Sequence, residues 1–170
     1  MKKMTAVFAV FLMITGLQVA SYAADQKIGY VDLARVFDDY QKTKEFDKTL
    51  EAKGSQKQAE RDKMVADVKK MRDEAELLSA KSKDDKQAAI DDKIKALQEF
   101  DRNTRDSLRK ERDTMVQEIL KEIDSVMQAF GKSQGYSFIF NDRVLVYKGE
   151  GSDLTAQVIK ALNDSYAKKK

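Results

Sequence analysis

The ninety residues between Tyr40 and Gly131 contain no proline and a single glycine, Gly54, and they are dense in charge. Nothing in that stretch forces the chain out of a helix, while short β-prone apolar segments stand on both sides of it. The arrangement predicts a long helical hairpin growing out of a small β body. Such a shape supplies reach and enclosing surface rather than the rigid pocket that chemistry requires, so the function it favours is holding another molecule.

The residues absent from the chain narrow the function further. The sequence has no histidine, no cysteine and no tryptophan. It therefore lacks soft metal ligands, Ser-His or Cys-His nucleophile pairs, and any side chain that titrates unperturbed near neutrality, which argues against an enzyme and against a cofactor or metal site. Lys2 and Lys3 precede an apolar run from Met4 to Ala20 and the small-x-small tripeptide Ser21-Tyr22-Ala23, the pattern of a cleavable secretory signal over residues 1–23. Subtracting those two lysines from 32 basic residues leaves 30 against 29 acidic ones. That balance, with an exported address, gives no support to a nucleic-acid partner. Without cysteine, stability has to come from packing, helix pairing or oligomerisation.

Lys27 to Asp32 alternates as a short strand, and Asp32 can cap a brief helix over Leu33 to Asp39. The first arm helix is expected from Gln41 to about Ala80. Its seam is sparse at Phe46 and Leu50, then regular at Met64, Val68, Met71, Ala75 and Leu78. Between Leu50 and Met64 the seam holds only alanines and Gly54, which predicts thin packing there. The second arm helix is expected from Lys86 to about Phe130, with Ser79 to Asp85 as the connection, Asp84 and Gln87 as its cap and Gly131 as its terminator. Tyr136 to Phe140 and Val144 to Tyr147 read as a β-hairpin across Asn141, Asp142 and Arg143, and a final helix starts after Ser152 or Asp153. The fold class is α+β, with body pieces at residues 24–40 and 132–170 flanking an arm at 41–131. A body of that size is close to the lower limit for a domain stable alone, so it is expected to assemble with copies of itself. Ile28, Tyr30, Val31, Phe138, Phe140, Val144 and Val146 are its candidate contact residues.

Five motifs have ordinary explanations. Gly131-Lys132-Ser133 lacks the first glycine of a phosphate loop, since Val126 holds that place. The pairs Asp38-Asp39, Asp84-Asp85 and Asp91-Asp92 have no EF-hand spacing and read as capping and solvation. Asn163-Asp164-Ser165 is a glycosylation pattern short enough to arise by chance. Met64, Met71, Met115 and Met127 lie on or beside the seams; they fit core packing, and alternatively, with Met64, Met71 and Met115 as the candidates, an adaptable surface for varied partners. Arg102, Arg105, Arg109 and Arg112 recur at three, four and three, setting four guanidinium groups along one helical face. Local pairs of Asp101 with Arg105, Glu99 with Arg102 and Arg109 with Asp113 make that face a solvated one; unpaired, it would be a client-binding one.

The order of these parts, a signal peptide, KIGYVDLARVF, two long charged helices and YSFIFNDRVLVYKGEGSDLTAQVIKAL, resembles the OmpH family of periplasmic chaperones. The resemblance covers essentially the whole exported chain. It is sharpest at Ile28 to Val31 and around Asp153-Leu154-Thr155. It implies a homotrimer whose β bodies form a barrel, with coiled-coil-like arms around a cavity that holds unfolded outer-membrane β-barrel proteins without ATP. It implies no catalytic residues. Family arms are often basic, whereas residues 41–131 carry 21 Lys and Arg against 21 Asp and Glu, a net charge of zero. Any contact with anionic lipid is therefore expected to be weak. The competing class is a structural coiled-coil spacer or adaptor of the cell envelope, which would be expected to keep an uninterrupted seam.

Overall fold

The computed structural model describes residues 26–149 and 151–169, so the signal-peptide expectation lies outside the described residues. The elements are β1 (Lys27–Val31), α1 (Leu33–Asp39), α2 (Gln41–Glu76), α3 (Ala80–Gln134), β2 (Tyr136–Asn141), a 3-10 turn (Asp142–Val144) and α4 (Thr155–Ala167). Asp32 caps α1 as expected, its carboxylate accepting from Arg35 N at 3.0 Å. No helix among the described residues is long and apolar enough to cross a membrane.

Helices α2 and α3 form the antiparallel arm. The cross-pairs Lys42–Glu122, Lys53–Glu111, Arg61–Asp101 and Glu74–Lys86 nest inside one another, as only an antiparallel pair allows. At 1.5 Å per residue, the 36 residues of α2 extend about 54 Å and the 55 of α3 about 82 Å. The connection is shorter than expected: α3 begins at Ala80, and Lys81 to Asp85 are helical rather than loop. Their side chains are solvated, and nothing in Ala-Lys-Ser-Lys-Asp-Asp-Lys breaks a helix. The Asp84–Gln87 cap is accordingly not used.

The other end of α3 departs as well. Gly131 is buried inside the helix, where a Cβ would come within 3.2 Å of Ile139 Cδ1. The helix stops instead at Gly135, whose φ of 72° closes the C-terminus by donating to the carbonyls of Gly131 and Lys132.

The β-hairpin expected at Tyr136 to Tyr147 does not form. β2 pairs in parallel with β1, with Ile28 beside Phe138, Gly29 beside Ile139 and Tyr30 beside Phe140. A parallel pair needs a crossover, and the whole arm supplies it. After β2 the Asn141 side chain accepts from Arg143 N at 3.3 Å and Leu145 N donates to Asp142 O at 3.1 Å, which turns the chain away from the sheet. Val144 and Val146 therefore lie outside any strand.

Two apolar clusters hold the described residues together. The larger unites Val31, Val36, Tyr40, Ile119, Ile123, Leu154, Val158 and Leu162. The smaller, near the arm tip, joins Val68, Ala75 and Ile90, with Met71 and Ile94 against it. Because Ile119 and Ile123 belong to α3, the body does not end at residues 40 and 132. The last turns of the arm helix supply two of the eight buried residues of its core.

Candidate binding surfaces

The sheet has one covered face and one open one. Gly29 and Ile139 point toward the helices: a Cβ on Gly29 would meet Leu154, and Ile139 packs against the larger core. The open face carries Ile28, Phe138 and Phe140, which are 49%, 51% and 40% exposed, with the two phenylalanine rings stacked 6.0 Å apart. Lys148 leans over the Tyr30 ring at 5.4 Å. Val144, Val146 and Tyr147 are also strongly exposed nearby. Of the candidate body residues, Tyr30 and Val31 are buried within this same chain and present no apolar surface to a partner. The other five form an open apolar patch beside an outer β2 edge that no described strand pairs.

Backbone and short side chains lock that sheet to the last helix. Tyr30 N donates to Ser152 O and Leu154 N to Tyr30 O, both at 2.9 Å. Thr155 Oγ1 accepts from Asp32 N at 3.0 Å, and the Asp153 carboxylate accepts from Thr155 N at 2.9 Å. The hydrogen bond from Thr155 holds the Asp153 carboxyl below its ordinary value.

The arm root is fixed by a polar network that the sequence did not reveal. Tyr40 and Lys42 both donate to the Glu122 carboxylate at 2.7 Å, and the Tyr166 hydroxyl donates to Glu45 at 2.9 Å. Burial and the neighbouring Glu122 push the Tyr40 hydroxyl well above its ordinary value. Burial works against ionisation of Glu122, yet the bonds from Lys42 and Tyr40 outweigh it and hold its carboxyl low. Asn163, set aside as a chance glycosylation pattern, accepts from Gln41 N at 2.8 Å and so caps α2 from another helix.

Beyond the root the arm thins. No side chain is buried between Phe46 and Val68 on α2, or between Ile90 and Ile119 on α3. In that stretch Arg61 bonds Asp101 at 2.9 Å and Lys53 meets Glu111, so ionic contacts replace apolar layers. Asp101 is thereby spent across the hairpin rather than on Arg105. Arg102, Arg105, Arg109 and Arg112 are all exposed, and of the expected local pairs Arg109–Asp113 is present at 3.8 Å with both groups largely in solvent. Met71 packs on the tip cluster and Met115 on the root cluster, while Met64 is half-buried between them. No group of three or more potential metal ligands occurs among the described residues.

Helical arms rising from a parallel two-stranded sheet match known architecture. The family of outer membrane proteins described as OmpH-like matches residues 27–162. The chain belongs to the OmpH-like family. The match runs from the first strand to Leu162, so the arms, both strands and the first part of α4 fall inside it. A crystal structure described as an OmpH-like outer membrane chaperone from Caulobacter crescentus superposes with a TM-score of 0.77 at 14% identity, covering 82% of this chain and 85% of that one. At that identity the likeness shows a shared fold. No curated protein sequence matches the chain. The OmpH-like family is non-enzymatic.

Proposed function

We propose that this chain is an ATP-independent periplasmic holdase that keeps unfolded outer-membrane β-barrel proteins from aggregating, in a cavity enclosed by the arms of a homotrimer. The observation that carries the reading is an open apolar sheet face at one end of an OmpH-like chain whose other end is a long, thinly packed helical hairpin. A sheet face with stacked Phe138 and Phe140 is costly to leave in water, at about 25 cal/mol per Å², and assembly through the body removes that cost. Family membership supports three copies. An envelope spacer fits less well, since it gains nothing from an arm whose middle buries no side chain.

Clients would meet the arginine face of α3 and the half-buried seam methionines Met64, Met71 and Met115, which can repack against varied sequences. Because the arms are neutral overall, this face is where positive charge is organised, and it suits acidic client segments. The test replaces Arg102, Arg105, Arg109 and Arg112 together by Gln, which keeps helix propensity. Client affinity is then measured at low and moderate salt beside an aggregation assay on an unfolded β-barrel protein. Weaker binding with a flatter salt response is expected. Unchanged affinity would return the stripe to ordinary solvation, where exposed pairs contribute only ~0.2–1 kcal/mol each.

A further inference from the structure

At the level of Gly54 the arm is hollow. The seam there holds Lys57, Thr104 and Leu108 where a closed coiled coil would stack large apolar side chains, and a cleft opens on each face of the hairpin. One cleft is about 350 Å³ and the other about 300 Å³, at the small end of the size of ligand pockets. Each is bordered by one ion pair between the helices, Arg61–Asp101 on the larger and Lys53–Glu111 on the smaller. A Cβ on Gly54 would meet nothing within 4 Å, so neither neighbours nor backbone demand glycine there. What the missing side chain provides is space.

The lining of the larger cleft is amphipathic. Phe100 and Leu108 are its apolar part, and the ammonium of Lys57 sits 5.5 Å from the Phe100 ring centre. Its charges are Lys57, Arg61 and Arg105 against Asp101 alone. Asp101 is occupied by Arg61, and Lys57 meets Glu60 at 2.8 Å. Arg105 has no hydrogen-bond or ion-pair partner among the described residues.

We propose that this cleft receives one aromatic side chain of an unfolded client segment, while an adjacent client carboxylate pairs with Arg105. The proposal rests on the holdase reading and deepens it by naming what is gripped. Strands of membrane β-barrels alternate apolar and polar residues and carry aromatic girdles, so in the unfolded chain an aromatic ring commonly has a polar neighbour. A ring against Phe100 and beneath a cation gains stacking and cation–π attraction. An acyl chain would need a longer apolar channel than Phe100 and Leu108 provide.

Since the protein has no tryptophan, a peptide with one Trp supplies the only indole in the mixture. The probe is a nine-residue peptide of alternating Thr and Val with a central Trp-Asp, titrated with the full chain while Trp emission is followed. A saturable blue shift is expected. Gly54→Leu fills the layer and should weaken binding about tenfold, the scale of an overpacked contact. Gly54→Ala stiffens the helix but leaves most of the space, so it should bind as the wild type does, which separates filling from rigidity. Arg105→Gln should weaken binding about fivefold, as for one charged pair, and the difference should vanish when the peptide Asp is replaced by Asn. No blue shift with the wild type, or equal binding by Gly54→Leu, overturns the proposal. So does displacement of the peptide by phosphatidylglycerol vesicles but not by unlabelled unfolded client, since the occupant is then lipid. Aggregation suppression is measured on the same samples. If the wild type suppresses aggregation while Gly54→Leu leaves peptide binding intact, the cleft is excluded and the holdase stands; if the wild type fails to suppress, the holdase reading itself falls.

Discussion

At Gly29 the first strand passes so close to α4 that a Cβ would lie 2.4 Å from Leu154 Cδ1 and 2.9 Å from its Cγ. Leu154 is itself buried and pinned through its backbone N–H to Tyr30 O, so it cannot swing away. Gly29→Ala is expected to destabilise the protein by about 1–3 kcal/mol, the usual cost of overpacking, read as a lower urea midpoint. Glu122 gives a pH prediction at the same scale. Its folded carboxyl is held below the ordinary 4.5, so its stabilising contribution is fully present above that value and is lost as pH falls through the lower folded value. Wild type should exceed Glu122→Gln by about 1 kcal/mol near neutrality, with the gap closing as pH falls below the ordinary carboxylate range. A gap that persists in acid would mean that the ionised carboxylate is not what fastens the root. Asn163 teaches a related lesson: its side chain caps a helix 122 residues away in sequence, which no local pattern can announce.

Among the elements, α2 is the clearest case of uneven stability along one continuous helix. Phe46 anchors its root and Val68 with Ala75 its tip, but between them the contacts are ionic, solvated and interrupted by Gly54. Amide exchange is expected to be faster between Leu50 and Met64 than between Ile119 and Phe130, where Ile119 and Ile123 are fully buried. Gly54→Ala should slow exchange there and raise stability by up to about 1 kcal/mol, because the new methyl clashes with nothing. Equal protection along both helices would contradict this picture. The sparse seam was legible in the sequence because spacing alone sets which side chains can meet. The ends of α3 were not, since its start depended on a polar turn that tolerates helix and its stop on whether Gly131 or Gly135 takes the left-handed conformation.

For the whole molecule, the decisive fact is that the body core borrows Ile119 and Ile123 from the arm helix. A cut at residues 41 and 131 would remove them and unfold the body. Joining Leu50 to Arg112 by a short flexible linker instead keeps the root, since Lys53 and Glu111 already face each other across the hairpin. That shortened protein is expected to retain the solution mass of a trimer while losing protection of an unfolded β-barrel client. A monomeric product would remove assembly from the body. By itself the sequence determined the proline-free hairpin, its thin middle, the Asp32-capped helix and the family, because breaker residues, seam spacing and caps act over a few neighbouring positions. Only the tertiary structure decided that β1 and β2 run parallel, that Val144 to Tyr147 makes no strand, that Val31 is buried in the core while Tyr30 is covered under Lys148 on the other face, and that Asp101 reaches Arg61 rather than Arg105. Each of those depends on which distant segments the arm brings together, and a parallel pair in particular has no local signal, since its partners sit on opposite sides of a crossover of more than a hundred residues.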